Sequence, residues 1–266
     1  PALCPVGTEI RASGRLQDGT SRFRYKGQEI LHFAGVSAFS NYTVLPEGSV
    51  LKIPKDLPFE LAALLGCSVI TGVGSVINTA SLKPGRTVAV FGVGGVGVNI
   101  VQGAVLSGAK QIIAVDRHDM RLEQVREFGA THTINASKEN PVKTIHDFTQ
   151  GRGVDFAFEA VGLPDTIQQA YDSLAKRGTA IVVGIPANGA KVTLTALPFA
   201  FEERVLTGSL YGSAVPRNDI PRMIDLYKAG KLELNKLLTR SYPIEQINEA
   251  YEAMEAGETL RSVVTF

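Results

Sequence analysis

Cysteine and tryptophan are scarce in this chain of 266 residues, which has two cysteines, Cys4 and Cys67, and no tryptophan. Two cysteines are too few for a disulfide framework and are typical of a reducing compartment, here the cytoplasm. The chain also lacks a dominant charge, because 27 Lys and Arg residues are balanced by 26 Asp and Glu residues. With no long basic run, nucleic-acid binding has no support.

Long apolar runs are missing as well. We find no stretch of the roughly 18 residues that a membrane span needs, and no basic-then-apolar leader, so neither a membrane nor a secretory role is expected. The run from Val88 to Val98 is interrupted by four glycines and indicates a strand, a turn and a helix instead. The first residue is Pro1 rather than Met, which is consistent with a fragment or a processed product.

The middle of the chain alternates short apolar runs with helical patterns, which predicts βαβ units and a parallel sheet. The predicted strands are Thr87–Phe91, Gln111–Val115, His132–Ile134, Val154–Phe158, Thr179–Val183 and Val205–Ser209. The predicted helices are Val96–Ser107, Asp119–Phe128, Pro141–Thr149, Asp165–Leu174 and Leu197–Glu203. The fold class is therefore α/β, a doubly wound six-stranded sheet of the Rossmann type with its ligand crevice at the carboxyl ends of the strands.

The two flanks of this unit have different patterns. The amino-terminal flank predicts short strands at Glu9–Ala12, Glu29–Phe33, Tyr42–Leu45 and Ser49–Ile53, followed by helices at Leu57–Leu65 and Thr71–Thr79. The carboxyl-terminal flank predicts helices at Ile220–Ala229 and Ile247–Glu255 and a last strand at Ser262–Phe266.

A glycine-rich turn carries the clearest functional signal. It follows a buried strand, opens a helix, and consists of Gly92, Val93, Gly94, Gly95, Val96 and Gly97. Glycines in this spacing allow a tight turn, a close backbone approach to a pyrophosphate and close packing of helix on strand. Asp116, at the end of the next strand, stands where an acidic ribose-binding residue is expected. The sequence therefore predicts a dinucleotide site.

Asp116 also indicates which dinucleotide binds. Its carboxylate can accept hydrogen bonds from the ribose hydroxyls and would repel a 2′-phosphate, so NAD is preferred over NADP. Arg117 directly after the strand could pair with such a phosphate, but we interpret it as a solvated side chain lying over the adenine.

Several separate motifs of this chain, in the same order as in the family, resemble the zinc-containing medium-chain alcohol dehydrogenases. The branch they resemble in particular contains the liver-type and glutathione-dependent formaldehyde dehydrogenases. The resemblance covers the whole chain and rests on segments 18–23, 32–33, 39–44, 64–67, 71–72, 90–97, 247–250 and 260–263. It implies a remnant of a mainly β, GroES-like catalytic domain at 1–68, a Rossmann domain at 69–211, and a segment at 212–266 that returns to the catalytic domain.

The resemblance implies oxidation of a primary or secondary alcohol to an aldehyde or ketone by hydride transfer to NAD⁺ near a catalytic Zn²⁺. Cys67 would be a ligand of the catalytic zinc, Cys4 one of four cysteines around a structural zinc, and Thr71, with Val96, a contact of the nicotinamide. Further cofactor contacts are implied at Arg121, Val161, Val183, Ile185, Ser209, Tyr211 and Arg261. The implied partners are a small alcohol or aldehyde and a second copy of the chain, paired through the edge strand Val205–Ser209.

The other zinc ligands and the proton relay of that family match no residue of this sequence, and a single cysteine cannot hold either zinc. Two alternatives therefore stay open beside the alcohol dehydrogenase. One is a non-catalytic NAD(H)-binding module, and the other is a zinc-free, quinone-reductase-like oxidoreductase of the same superfamily. The identity of the alcohol and the dependence on glutathione also stay open.

Overall fold

Strands and helices alternate along residues 2–266, the part of the chain that the computed structural model describes. The strands are β1 (Phe23–Tyr25), β2 (Gln28–Ile30), β3 (Thr87–Phe91), β4 (Gln111–Asp116), β5 (His132–Asn135), β6 (Val154–Glu159), β7 (Leu174–Val182), β8 (Val205–Gly208), β9 (Leu238–Pro243) and β10 (Arg261–Thr265). The helices are α1 (Pro5–Ser13), α2 (Phe59–Leu64), α3 (Ile70–Gly74), α4 (Gly95–Leu106), α5 (Asp119–Arg126), α6 (Pro141–Phe148), α7 (Pro164–Asp172), α8 (Leu197–Phe201), α9 (Pro216–Lys228) and α10 (Ile247–Glu255).

Six parallel strands form the central sheet in the order β5-β4-β3-β6-β7-β8. The chain proceeds in one direction from β3 to β5 and in the other from β6 to β8, so the order reverses between β3 and β6. All five residues of β3 are buried, as expected for a strand covered by helices on both faces. The predicted α/β fold with a doubly wound parallel sheet is confirmed.

The core lies on both faces of this sheet. Along β3, Val88 and Val90 belong to the cluster on one face, whereas Ala89 and Phe91 belong to the cluster on the other. This alternation is the period of two that a strand imposes on its side chains. Because all six strands are parallel, their carboxyl ends lie at the same edge of the sheet, and the candidate site lies at that edge.

The amino-terminal flank differs from its prediction. Glu9–Ala12 was predicted as a strand but lies inside α1, which has Pro5 in its first turn and ends at Gly14 with φ 64°. Proline in the first turn and a left-handed glycine after the last turn favour a helix. The predicted strand Glu29–Phe33 is reduced to β2, which pairs only with β1. The predicted strands at Tyr42–Leu45 and Ser49–Ile53 are also wrong, since those residues pair with no other described strand.

Two predicted helices form one continuous helix over Phe59–Thr79, in which α2 and α3 alternate with wider π turns. Its glycines permit close packing, because a Cβ on Gly72 would lie 2.5 Å from the Asn99 Cβ and one on Gly74 would lie 2.7 Å from the Gly212 O. Contrary to the sequence-based expectation, this helix is long and apolar enough to cross a membrane by length and composition alone. However, 67% of its most apolar window is buried inside the protein, which is typical of a core helix.

Several other boundaries also shift. β7 begins at Leu174 instead of Thr179 and contains Arg177 at φ 62°, and α7 accordingly ends at Asp172. α9 begins at Pro216, four positions before the predicted Ile220, because a proline is well suited to the first turn. β9 was not predicted; it pairs in parallel with β10 in a separate two-stranded sheet.

We expect the packing of β6 to dominate stability near the sheet centre. Phe158→Ala removes a side chain that is fully buried and should lower the free energy of unfolding by about 3–5 kcal/mol. Phe59→Ala is the control, because that ring is 88% exposed and its loss should change the free energy by less than about 0.5 kcal/mol. Denaturant unfolding measures both, and equal losses would contradict the assigned core.

Candidate functional site

The turn from β3 into α4 is built from glycines that the geometry requires. Gly92 has φ 84°, a region that favours glycine. A Cβ on Gly97 would lie 1.8 Å from the Gly92 O, so no other residue fits where the first turn of α4 passes the end of β3. The amino end of this twelve-residue helix is thereby held over the carboxyl end of the strand.

Gly94 and Gly95 contribute no side chains of their own at the amino end of α4. A Cβ on Gly94 would have only the Arg121 Nη1 within 4 Å, at 3.9 Å. A Cβ on Gly95 would lie 2.0 Å from the Arg261 Nε, so the guanidinium occupies the space that the glycine leaves. The first N–H groups of a helix have no partner inside it and attract anions. Arg121, Arg261 and the first N–H groups of α4 therefore lie around the same position at the amino end of the helix.

Asp116 ties the end of β4 to the glycine turn. Its Oδ2 accepts a hydrogen bond of 2.9 Å from the Val93 N–H, and its Oδ1 accepts bonds from the N–H groups of Arg117 and His118 at 2.7 and 3.1 Å. The Arg121 Nη1 lies 4.0 Å from Oδ2. The carboxylate is thus fixed beside the turn, whereas the Arg117 side chain is exposed.

The two arginines beside the turn are short of hydrogen-bond partners. The Nε atoms of Arg121 and Arg261 are both buried and without a hydrogen bond in the described protein. Burial lowers the pKa of the Arg261 guanidinium, and the nearby Cys67 opposes that shift. Buried guanidinium N–H groups without an acceptor are costly unless an anion reaches them. A diphosphate would supply such an anion, so these residues fit a dinucleotide.

A second part of the candidate site lies beyond β7 and β8. Val183, Ile185 and Ser209 line one cleft of about 540 Å³. Ala2 and Leu3 from the start of the chain line it too, and the Ala2 N–H donates to the Ala214 O at 3.1 Å. Of the described residues that line this cleft, none has a charged side chain, and Ile185 is 85% exposed in it. The cleft therefore suits an uncharged ligand.

Tyr211, which follows the cleft residue Leu210, contacts the long helix that carries Cys67 and Thr71. The Tyr211 hydroxyl donates to the Gly66 O at 2.6 Å, and a Cβ on Gly212 would lie 2.9 Å from the Thr71 O. Burial raises the pKa of Tyr211, and the charge of Cys67 adds to that shift. Cys67 is exposed, unlike the usual free cysteine of a protein core.

The residues described do not assemble a zinc site. Nowhere in residues 2–266 do three His, Cys, Asp or Glu side chains come together in a way that could hold a metal ion. Cys4 is half-buried at the start of α1, and Cys67 stands on the long helix. Since a catalytic zinc needs three protein ligands and a structural zinc four, the described residues do not fit either metal by themselves.

Sequence reasoning missed Glu159, a fully buried carboxylate at the carboxyl end of β6. It accepts hydrogen bonds from the turn that contains Val161, whose Cγ2 would lie 2.5 Å from a Cβ on Gly92. The available signal was an acidic residue directly after the apolar strand Val154–Phe158, the same signal that singled out Asp116 after β4.

Comparison with known proteins agrees with this geometry. Residues 95–229 match the family described as zinc-binding dehydrogenase. The chain is 39% identical to the class-3 alcohol dehydrogenase of Cereibacter sphaeroides, covering 99% of this chain and 72% of that protein. It is 38% identical to the S-(hydroxymethyl)glutathione dehydrogenase of Paracoccus denitrificans over the same shares.

Two solved structures support the same assignment. An alcohol dehydrogenase zinc-binding domain protein from Burkholderia ambifaria superposes with a TM-score of 0.92 at 36% identity, covering 100% of this chain and 72% of that one. Benzyl alcohol dehydrogenase from Acinetobacter calcoaceticus superposes with a TM-score of 0.87 at 31% identity, covering 99% and 74%. The chain therefore belongs to the zinc-binding dehydrogenases of the medium-chain alcohol dehydrogenase family, and through that membership it is an oxidoreductase.

Proposed function

We propose that this chain binds NAD(H) and that its protein oxidises a primary or secondary alcohol to an aldehyde or ketone with NAD⁺ as hydride acceptor. The observation that carries the proposal is the amino end of α4, where Gly94 lies beside the Arg121 Nη1 and Gly95 beside the Arg261 Nε. The Nε atoms of both arginines are buried and have no hydrogen bond in the described protein. Helix amides and guanidinium groups in this arrangement are suited to the two charges of a pyrophosphate.

NAD(H) is preferred to NADP(H) because of Asp116. Its fixed carboxylate lies beside the glycine turn and would repel a 2′-phosphate, while it retains lone pairs for ribose hydroxyls. Arg121, 4.0 Å away, compensates part of that charge and lies on the side of the diphosphate.

The uncharged cleft beside β7 and β8 is proposed to take the nicotinamide and the alcohol. NAD⁺ supplies the hydride-accepting ring when it is bound. Val183 and Ile185 provide an apolar wall, and Tyr211 next to the cleft residue Leu210 contacts the long helix. Backbone groups of Val183–Ile185 and Ser209–Tyr211 are suited to hydrogen-bond the carboxamide. No step is assigned to zinc, since the described residues do not assemble its ligands.

A second candidate function follows from the difference between the proposed cofactor site and the metal site, which the described residues do not assemble. The described residues supply groups for the cofactor but not a metal ligand set, which favours an NAD(H)-binding module without turnover. Calorimetry with NADH and an assay of NAD⁺ reduction with a primary alcohol separate the candidates. Binding with turnover supports the dehydrogenase, binding without turnover supports the module, and no binding of NADH contradicts both.

Asp116→Asn should weaken the preference for NADH. The amide keeps the shape of the side chain and one acceptor oxygen but removes the charge that repels a 2′-phosphate. We expect the ratio of NADPH to NADH affinity to rise about tenfold, equivalent to roughly 1.4 kcal/mol, in fluorescence titrations. Asp119→Asn is the control, since that carboxylate is exposed and pairs with Lys138. An unchanged ratio in Asp116→Asn would remove this role.

Arg261→Met should weaken NADH binding by about tenfold or more, because a charge-assisted hydrogen bond to a buried anion contributes roughly 1.5–3 kcal/mol. The remaining affinity should also depend less on salt, since one cation–phosphate contact is gone. Arg240→Met provides the control: this arginine lies on the neighbouring strand β9 and pairs with Glu258 at 3.4 Å. The same dissociation constant for both variants in calorimetry would argue against the assignment.

The second copy of the chain is proposed to pair through β8. This strand forms an edge of the sheet, and Val205 on it is 46% exposed, so its backbone and apolar surface would otherwise remain uncovered. Light scattering should give the mass of a dimer for the unmodified chain and that of a monomer for Val205→Lys. Val192→Lys, a change at another partly exposed valine, should leave the dimer intact. A monomeric unmodified chain would contradict the proposal.

A further inference from the structure

Glu159 accepts hydrogen bonds from two separate turns at the crevice. Its Oε1 accepts from the N–H groups of Val161 and Gly162 at 2.9 and 2.8 Å and from the Thr166 hydroxyl at 2.7 Å. Its backbone oxygen accepts from the N–H groups of Val183 and Gly184 at 2.8 and 2.9 Å. One residue at the end of β6 therefore holds the turn that follows β6 and the turn that follows β7.

These two turns touch each other. A Cβ on Gly184 would lie 2.2 Å from the Gly162 N, and a Cβ on Gly162 would lie 2.6 Å from the Ile185 O. Gly162 also has φ 89°, so it is held in a conformation that favours glycine. Because the backbones are in direct contact, any movement of the first turn displaces the second, which carries Val183 and Ile185.

The turn after β6 also touches the glycine turn after β3. A Cβ on Gly92 would lie 2.5 Å from the Val161 Cγ2. The sheet order reverses between these two strands, so the contact lies in the middle of the crevice. Glu159 thus connects the turns of β3, β6 and β7 through one set of contacts.

The burial of the Glu159 carboxylate is energetically unfavourable. Glu159 is fully buried, and its Oε2 has no hydrogen-bond partner in the described protein. A buried acceptor without a partner is unfavourable, and such groups call for a functional explanation. An apolar side chain of the same size would avoid this cost but would leave the N–H groups of Val161 and Gly162 without an acceptor.

We propose that Glu159 is a positioning residue for the dinucleotide crevice, whose carboxylate fixes the Val161–Gly162 turn between the Gly92 turn and the Val183–Ile185 wall. Glu159 touches neither substrate nor cofactor in this account. It sets the separation of the backbone segments that do. The inference rests on the proposed NAD(H) binding.

The test compares two carboxylates at opposite ends of β6. Asp155 accepts the Thr87 N–H at 2.8 Å and pairs with Arg152, so it too binds backbone, but at the amino end of the strand. Glu159→Met and Asp155→Leu each replace the acid by an apolar side chain of similar size, and both should lower stability. Only Glu159→Met should weaken NADH binding, by about tenfold, which is roughly 1.4 kcal/mol. The emission of NADH itself reports binding, since the chain has no tryptophan.

Glu159→Gln provides the rescue. Its amide oxygen can still accept from Val161 and Gly162, so NADH affinity should stay within about threefold of the unmodified chain. If Glu159→Met does not fold, Thr166→Val carries the test, because it keeps the carboxylate and removes the hydroxyl that donates to Oε1 and lies 3.0 Å from the Leu163 O. We expect it to speed amide hydrogen exchange at Val161 and Gly162 without ligand and to weaken NADH binding.

The outcomes separate this inference from the proposed function. An unmodified chain that does not bind NADH overturns both. An unmodified chain that binds NADH, with Glu159→Met binding as tightly or Asp155→Leu binding as weakly as Glu159→Met, overturns the role of Glu159 alone. Faster exchange at Val161 and Gly162 in Thr166→Val with unchanged NADH affinity would overturn it as well.

Discussion

The contact between the Gly92 O and Gly97 is the constraint on which the candidate site depends. No Cβ fits there, so α4 starts directly over the carboxyl end of β3 and its first amides face the edge of the sheet. A wider approach would separate the Val93 N–H from the Asp116 carboxylate, which now joins β4 to the same turn. Asp116, Arg121, Arg261 and Val161 all lie beside this turn.

Groups distant in the sequence converge on that turn. Arg121 comes from α5, Arg261 from the last strand, and Val161 from the turn after β6. Within the described protein the Nε atoms of both arginines are buried without a hydrogen bond, and such donors stay unsatisfied until an acceptor reaches them. Glu159 shows the opposite case, an internal anion used to hold backbone donors in place.

The sequence predicted what local pattern controls. Buried β-branched strands, the glycine turn and Asp116 follow from periodicity and spacing, and the sheet and the alcohol dehydrogenase family are confirmed. It failed where the outcome depends on distant partners. β9 exists because β10 lies beside it, and Gly66, Gly72 and Gly74 interrupt the apolar pattern of a helix that remains continuous. Glu159 carried the same local signal as Asp116, an acidic residue directly after an apolar strand, but its connection to three turns follows from packing that the sequence does not show.

The cofactor groups and the metal groups differ in how they are assembled. Within residues 2–266 the turn, Asp116, Arg121 and Arg261 lie together, whereas no set of three metal ligands forms. Cys67 nevertheless lies close enough to Arg261 and Tyr211 for its charge to act on the pKa of both. The thiol itself is exposed. The proposed cofactor site is therefore formed by the described residues, while chemistry at a metal would require ligands beyond them.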